Sequence, residues 1–180
     1  MILFPKNREV GRMKSFQQLG LYLAVSILML AMPPQAKAQL FFMPDSLIGK
    51  AAPEFTLKNL EGKELSMTKY RDGQSAVIFF WATWCPHCRT ALKGLHQKKA
   101  EFETKGIKLI LVDLGESAEE VREHLFKTKM DLDVFLDMDT ALSEIYGIIG
   151  VPTFFLVNKD GVVKQIDHAL PKNYEEILLP

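Results

Sequence analysis

The chain has 180 residues, of which 22 are Lys or Arg, 22 are Asp or Glu, and 48% are apolar. This length and composition fit one globular domain with a short additional segment, and they exclude a largely disordered chain. The balanced charge also excludes the basic field that nucleic-acid binding requires, so we expect no nucleic-acid partner. Only two cysteines are present, which excludes a framework of structural disulfides.

The N-terminal segment has the composition of a secretory signal. Four basic residues between Lys6 and Lys14 precede an uncharged run whose apolar centre, Leu19 to Met32, has fourteen residues. A proline pair and then Ala36-Lys37-Ala38 follow, and such a small-x-small pattern is typical of a cleavage site. We therefore expect residues 1–38 to be removed and residues 39–180 to form the domain, in the periplasm of a bacterium.

An uncleaved membrane anchor is the alternative interpretation of this segment. The whole uncharged run from Ser15 to Ala36 has the length of about 20 residues that a bilayer span needs, although its apolar centre is shorter. Met13 is an alternative start, which leaves a signal of ordinary length. After cleavage the domain would have 142 residues, 17 of them basic and 21 acidic, and we expect a soluble monomer.

The mature chain begins with a predicted β-hairpin. Alternating polar and apolar residues predict strands at Glu54–Lys58 and Lys63–Leu65, joined by a turn at residues 59–62. One helical turn is expected at Ser66–Tyr70. The continuously apolar Ala76–Trp81 then predicts a strand that is buried on both faces.

The rest of the chain alternates helices and strands. The apolar stripe of Leu92, Leu95 and Phe102 predicts one helix from Pro86 to about Lys105, which Gly106 ends. Further helices are expected after the capping-box pair Ser117 and Glu120, over Thr140–Tyr146, and in a final turn capped by Asn173. Strands are expected at Ile107–Leu114, Val134–Leu136, Thr153–Val157 and Val162–Ile166. This order predicts an α/β sandwich around a mixed sheet.

The two cysteines form the motif Cys85-Pro86-His87-Cys88, where the apolar strand meets the amphipathic helix. A cysteine at a helix start lies near unpaired backbone N–H groups and the positive end of the helix dipole, which stabilise a thiolate. Pro86 suits the first helical turn, and His87 can place positive charge or a hydrogen bond beside the sulfur. The motif therefore predicts a reducible disulfide, in which Cys85 attacks and Cys88 resolves the mixed disulfide.

Other uses of a cysteine pair fit less well. A stabilising disulfide that closes so short a loop constrains the unfolded chain little. A zinc site would need two of His96, His124 and His168, whose spacing matches no zinc-finger pattern, so we expect no metal and no cofactor. We expect His124 and His168 on the surface. Haem attachment needs a histidine directly after the second cysteine, where this chain has Arg89.

The segment Phe80–Arg89 resembles the active-site segment of thioredoxin-fold oxidoreductases, and it is most similar to their extracytoplasmic TlpA/ResA-like branch. Upstream, Ala52–Leu57 with Leu60-Glu61-Gly62 is similar to the N-terminal hairpin of that branch. Downstream, Tyr146–Thr153 is similar to the segment that contains the family's cis-proline, and Phe154–Gly161 is similar to the last hairpin.

This resemblance, which covers about residues 49–170, implies a thioredoxin-like three-layer sandwich. Such a fold has a mixed central sheet with helices on both faces, an N-terminal β-hairpin and one inserted helix–strand segment, which we assign to Ser117–Leu136. The resemblance implies a cis bond before Pro152, with Val151 and Trp84 as further docking residues for cysteine-containing client proteins. Packing of Trp84 in the core is the alternative. A membrane redox partner is also implied.

Two departures from the family affect the expected chemistry. Thioredoxins have a buried Asp six positions before the first active-site cysteine, where this chain has Phe79. The TlpA/ResA-like branch has Glu-x-Pro after the second cysteine, where this chain has Ala91-Leu92-Lys93. The usual proton acceptors for Cys88 are therefore absent. The Pro-His dipeptide resembles that of the oxidant DsbA, so we expect a more oxidising disulfide than that of thioredoxin.

These features predict an extracytoplasmic thiol–disulfide oxidoreductase that acts on protein cysteines. A peroxiredoxin-type peroxidase is one alternative. Its Thr-x-x-Cys run would need threonine where this chain has Ala82, and Thr83 is one residue too close to the cysteine. A copper-binding module that uses the two thiols as ligands is the other alternative.

Overall fold

The structure is a computed structural model, and it describes residues 47–179. The predicted signal segment 1–38, its cleavage site and the start of the mature domain at residue 39 lie outside the described residues. Within residues 47–179, no helix combines the length and the apolar character that a membrane crossing requires.

The described residues contain seven strands, which form one mixed sheet. The strands are β1 (Thr56–Asn59), β2 (Glu64–Ser66), β3 (Ser75–Trp81), β4 (Ile107–Leu114), β5 (Val134–Asp137), β6 (Thr153–Val157) and β7 (Val163–Asp167). Their order in the sheet is β2-β1-β5-β4-β3-β6-β7. Strands β3, β4 and β5 are parallel to one another, and all other pairs are antiparallel. The predicted hairpins β1–β2 and β6–β7 are confirmed.

Helices cover both faces of this sheet, which confirms the three-layer sandwich. The helices are α1 (Met67–Arg71), α2 (Pro86–Gln97), α3 (Lys99–Thr104), α4 (Ala118–Thr128), α5 (Ala141–Ile145) and α6 (Tyr174–Leu178). Buried residues of α2, α3, α4 and α6 share one core, and those of α1 and α5 belong to the core on the other face. Because β3, β4 and β5 are parallel neighbours in that order, two crossovers of the same hand put α2 and α4 on the same face.

The predicted insertion at Ser117–Leu136 forms helix α4 and strand β5, which lies between β4 and β1 in the sheet. The capping box that opens α4 is confirmed. The Ser117 hydroxyl accepts a hydrogen bond from the Glu120 N–H, and the Glu120 carboxylate accepts one from the Ser117 N–H at 2.8 Å. Buried Val121 and Leu125 then pack the helix against the sheet.

Strand β3 is the centre of the fold, since it pairs with β4 on one side and β6 on the other. All seven of its residues are buried, as the continuous apolar run predicts. Because side chains alternate along a strand, Phe79 and Trp81 enter the core that also contains Cys85 and Cys88. The intervening Phe80 enters the opposite core. The position of the cysteines is therefore determined by the most buried strand.

The prediction of one continuous helix over residues 86–105 is wrong at one position. Lys98 has φ −94° and ψ 1°, so α2 ends before it and α3 begins after it. No proline or glycine marks this bend. Packing explains it better, because α3 directs Phe102 against Tyr174 of α6, with ring centroids 5.2 Å apart.

Two predicted helix ends have different outcomes. Gly106 follows α3 with a φ of 66°, the left-handed conformation that favours glycine at a helix C-terminus. Asn173 is the N-cap residue of α6, as predicted, but its side chain makes no capping hydrogen bond. Packing of the buried Tyr174 and Leu178 holds this short helix in place instead.

Candidate active site

The cysteine pair lies where the central strand leads into helix α2. Cys85 occupies the N-cap position, with φ −84° and ψ 114°, and Pro86 is the first helical residue. The Cys85 Sγ accepts a hydrogen bond from the Cys88 N–H at 3.2 Å. The two residues form a disulfide, and their Cα atoms are 5.2 Å apart. The helix start therefore supplies a backbone donor to the Cys85 sulfur, in the position where a thiolate would need it.

The two sulfur-bearing residues differ in accessibility. Cys85 is 4% exposed, whereas Cys88 is 0% exposed. Both belong to the core that contains Trp81 and Leu92. The outer end of the disulfide is therefore Cys85, and the inner end is enclosed by apolar side chains.

The pairing of β3 with β6 brings a second segment to the disulfide. Phe80 pairs with Thr153, so the residues before Thr153 lie beside those that follow Phe80. The Val151–Pro152 bond is cis, as expected. The Val151 carbonyl oxygen lies 3.6 Å from Cys85 Sγ, although the two residues are 66 positions apart in the chain.

His168 supports this second segment. Its Nδ1 lies 2.9 Å from the Pro152 carbonyl oxygen. Since a carbonyl oxygen can only accept, Nδ1 carries the hydrogen and donates it. His168 is exposed, as predicted, but it also fixes the carbonyl of Pro152. The sequence contains no signal for this contact.

An apolar groove of about 650 Å³ lies between α2 and the segment around Pro152. Its lining includes His87, Ala91, Leu95, Pro152, Phe154 and His168. Ala91 occupies the position where the TlpA/ResA-like branch has its glutamate, so this part of the groove is apolar. Its polar lining residues are His87, Thr90, Lys98 and His168, and none of its lining residues has a carboxylate.

Two large apolar side chains are exposed next to the residues of the site. Trp84 directly precedes Cys85 and is 67% exposed. Ile149 is 86% exposed and lies two positions before Val151. The alternative that Trp84 is packed in the core is therefore wrong. Exposed apolar side chains of this size are available to a protein partner.

Glu116 is a site residue that sequence analysis missed. It follows β4, and its carboxylate oxygens accept hydrogen bonds from the Thr83 backbone N–H and the Thr83 hydroxyl. The Arg89 guanidinium donates to the Thr83 carbonyl oxygen at 3.0 Å. Thr83 is thus held from two sides, two residues before Cys85. The contact joins residues 33 positions apart, which no local pattern indicates.

A second carboxyl group lies close to Glu116 and was also missed. Asp113 is opposite Trp81 in the β3–β4 register and is 0% exposed. Its oxygens make no well-formed hydrogen bond within residues 47–179, and Glu116 is their polar neighbour. Burial, and after it the neighbouring Glu116, raise the pKa of Asp113 from 3.8 to about 8. The protonated acid can then donate to Glu116. A single acid in the apolar run 107–114 is the signal that would have identified it.

The prediction that His124 is a surface residue holds only in part, because its side chain is half-buried. Its ring lies against the Trp81 ring, with centroids 6.0 Å apart. Its Nε2 is buried, and no partner for it exists among residues 47–179. Burial and then the positive charge of Arg89 lower the pKa of His124, so the neutral imidazole is favoured.

A comparison with protein families matches residues 48–166 of this chain to the AhpC/TSA family. The matched span contains the N-terminal hairpin, the cysteine pair, the inserted segment and the strand that follows Pro152. It covers every residue of the site described above except His168.

Individual proteins are also similar to this chain. The thiol-disulfide oxidoreductase ResA of Geobacillus thermodenitrificans (strain NG80-2) is 29% identical over 156 residues, which are 86% of this chain and 89% of that protein. The thiol-disulfide oxidoreductase ResA of Bacillus thuringiensis subsp. konkukian (strain 97-27) is 31% identical over 118 residues, 66% of this chain and 68% of that protein. The crystal structure of StoA from Bacillus subtilis superposes with a TM-score of 0.59 and 25% identity, covering 69% of this chain and 96% of that one.

Proposed function

The chain belongs to the AhpC/TSA family, and we propose that it acts outside the cytoplasm as an oxidoreductase of protein cysteines. It is a thiol–disulfide oxidoreductase with a thioredoxin-like fold, as its relationship to the ResA proteins and its sheet show. The finer part of the proposal is the reaction. The Cys85–Cys88 disulfide exchanges with client cysteines through a mixed disulfide at Cys85.

The reaction transfers two electrons from a client dithiol to the enzyme disulfide. A client thiolate attacks Cys85 Sγ, the bond between the two enzyme sulfurs breaks, and the electron pair leaves on Cys88 Sγ. The second client thiolate then attacks the client sulfur of the mixed disulfide and releases Cys85 as a thiolate. The client leaves with a disulfide, and the reverse sequence reduces a client disulfide.

The observation that carries this proposal is the difference between the two ends of the disulfide. Cys85 is the more exposed end and has a backbone N–H donor at 3.2 Å from its sulfur. That donor and the N-terminus of α2 favour the thiolate form of Cys85, and Pro86 leaves no unpaired N–H of its own there. His87, one residue further along the first turn, is proposed to add to this stabilisation.

Client docking is proposed at Trp84, Val151 and Pro152. The Val151 carbonyl, 3.6 Å from Cys85 Sγ, can accept a hydrogen bond from an extended client backbone. Trp84 is 67% exposed beside the disulfide and can cover an apolar client side chain. The groove next to Pro152 can take the client residues that flank the cysteine.

The extracytoplasmic location is proposed from the signal-like composition of residues 1–38. An exported chain should begin at Gln39 and be a soluble monomer, with a membrane protein as its redox partner. Sequencing the N-terminus of protein exported by a bacterial host tests this. Full-length chain in the membrane fraction would support an uncleaved anchor instead.

Client capture tests the reaction. Cys88→Ala removes the resolving thiol, so mixed disulfides with client proteins should accumulate at Cys85. Cys85→Ala is the matched control, because it retains one cysteine but loses the accessible one. Equal capture by the two variants, or none by either, would contradict the proposed mechanism.

Assays of the wild-type protein distinguish the alternative functions. A peroxidase would consume hydrogen peroxide at the expense of added thiols, and a copper module would bind copper with a fixed stoichiometry. Within the described residues no group of three or more His, Cys, Asp and Glu side chains is placed to hold a metal ion. Disulfide exchange without either activity would support the proposed function.

A further inference from the structure

Asp113 is a buried acid whose polar neighbour is another acid, Glu116. It is 0% exposed, and neither of its carboxyl oxygens makes a well-formed hydrogen bond with another described residue. Burying a carboxyl group without hydrogen bonds destabilises a fold by more than a kcal/mol, so such a group is more often found where chemistry uses it. Asp137, another buried acid, differs because its carboxylate accepts a hydrogen bond from the Leu142 N–H at 3.0 Å and so begins helix α5.

The register of the sheet places Asp113 on the face where the cysteines lie. Asp113 pairs with Trp81 across the parallel strands β3 and β4, and paired residues have side chains on the same face. Trp81 enters the core that contains Cys85 and Cys88. Asp113 therefore lies on the face of the sheet that α2 and α4 cover, at the ends of the strands from which Cys85 follows.

Asp113 also lies close to the position of a missing acid. Phe79 stands where thioredoxins have their buried Asp, and its register partner is Leu111. Asp113 is two residues further along β4, on the same face, towards the edge of the sheet from which Cys85 follows. Asp113 thus places a carboxyl group on β4, one strand away from the position of the thioredoxin Asp on β3, and nearer the ends of these strands.

We propose that Asp113 exchanges a proton with Cys88 during disulfide exchange, in place of the acids that are absent at Phe79 and Ala91. The inference rests on the proposed function, because it assigns the proton transfer that the second thiol of that reaction requires.

The proton transfer balances in both directions. When a client thiolate breaks the enzyme disulfide, Cys88 Sγ leaves with the electron pair and takes the proton of the Asp113 carboxylic acid. When the enzyme reduces a client, the Asp113 carboxylate takes the proton of the Cys88 thiol as Cys88 attacks the mixed disulfide at Cys85.

Two carboxyl groups act on Asp113, and two further titratable or charged groups lie near its register partner Trp81 or act on that neighbour. Glu116 lies in the loop after β4, and Glu120 belongs to the first turn of α4; both oppose ionisation of Asp113. His124 of α4 lies against Trp81, and Arg89 of α2 acts on His124. The pKa of about 8 for Asp113 lets both protonation states be populated near neutral and mildly alkaline pH.

The test follows the resolution step of the full chain across pH. The reduced enzyme is mixed with a peptide disulfide, and the conversion of the mixed disulfide at Cys85 to the enzyme disulfide is followed by acid quenching and mass measurement. In the wild type this rate should rise through an inflection near pH 8. Asp113→Asn should slow it at least about tenfold above that pH and remove the inflection, because the proton acceptor is lost.

Asp137→Asn is the matched control. Asp137 is also buried, and its pKa is also raised, to about 6, by burial. Its neighbour Leu136 is the register partner of Asp113, so Asp137 faces the opposite side of the sheet. This variant should retain the rate and the inflection. An equal loss in both variants would show a general effect of removing a buried acid and would overturn the proposal.

Glu116→Gln is a second variant that retains Asp113. It removes a negative charge that raises the pKa of Asp113, so the inflection should move to lower pH. An unchanged inflection in Glu116→Gln, or a wild-type profile in Asp113→Asn, would contradict the assignment of Asp113. A wild type that exchanges with no peptide disulfide at any pH would instead contradict the proposed function itself.

Discussion

At the scale of single residues, two cysteines three positions apart in one motif have different environments. Cys85 is at the outer end of α2, where its sulfur accepts a backbone hydrogen bond. Cys88 is one turn inside and 0% exposed. Apolar burial raises the pKa of a thiol, whereas a helix N-terminus lowers it. The same chemical group is therefore expected to be a nucleophile at one position and a protected thiol at the other.

Alkylation of the reduced protein tests this difference. At about pH 6, iodoacetamide should modify Cys85 at least about tenfold faster than Cys88, because only Cys85 is both accessible and stabilised as a thiolate. Peptide mass measurement after short exposure identifies the modified residue. Faster modification of Cys88 would show that the attacking thiol has been assigned to the wrong residue.

The redox potential tests the contribution of His87. We propose that the N-terminus of α2 and His87 both favour the Cys85 thiolate, and a stabilised thiolate makes the disulfide a better oxidant. We expect a potential above the thioredoxin value of about −270 mV, measured by equilibration with glutathione. His87→Gly should lower the potential. Lys93→Gln, an exposed position on the same helix, should leave it unchanged, and equal shifts in both variants would assign the effect to net charge.

At the scale of elements, helix α4 begins at a local sequence pattern and brings together residues that are far apart in the chain. Its capping box satisfies backbone groups at the helix start, and its buried Val121 and Leu125 hold it on the sheet. The same helix carries His124 to the Trp81 ring. A helix that the sequence predicts from Ser117 and Glu120 thus completes the surroundings of the site.

Removing the cap should destabilise the domain without changing the chemistry of the site. Ser117→Ala loses the hydroxyl that accepts from the Glu120 N–H, and we expect the free energy of unfolding to fall by about 1 kcal/mol. Urea unfolding measures this change. Ser143→Ala, inside helix α5, is the control and should change it by less than about 0.5 kcal/mol. A loss as large as that of Ser117→Ala would show that the cap is not the cause.

At the scale of the whole molecule, buried acids link stability to pH. The pKa of Asp113 is raised to about 8 in the folded protein from an ordinary value of 3.8, so the folded state holds a proton that the unfolded state releases between these values. The contribution of Asp113 to stability is therefore complete below about pH 4 and is lost as the pH rises towards 8. Asp137, with a pKa of about 6, contributes in the same direction over a narrower range.

Asp113→Asn should remove this part of the pH dependence. The variant should gain stability relative to the wild type as the pH rises from 4 to 8, by a few kcal/mol at pH 8, since one pKa unit is worth about 1.4 kcal/mol. Thermal unfolding of both proteins over this range measures the difference. Asp137→Asn should show its own relative gain completed by about pH 6. A constant difference between Asp113→Asn and the wild type at all pH values would contradict the assigned pKa.

Much of this molecule was predictable because its signals are local. The buried strand at Ala76–Trp81, the two hairpins and the capping box of α4 each depend on residues close together in the chain, and all are confirmed. The cysteine motif at a strand–helix junction likewise predicted the N-cap position of Cys85. The bend at Lys98 was not predictable, because packing of α3 against α6 favours it and no breaker residue marks it.

The sequence by itself determined the order of the elements, the reactive disulfide and the absence of acids at Phe79 and Ala91. Only the tertiary structure decided which groups surround that disulfide. Glu116 reaches Thr83 across 33 positions, and His168 reaches the Pro152 carbonyl across 16. The parallel register of β3 and β4 puts Asp113 on the face of the cysteines. Such contacts depend on strand register and crossover direction. Neither can be predicted from the residues that are adjacent in the chain.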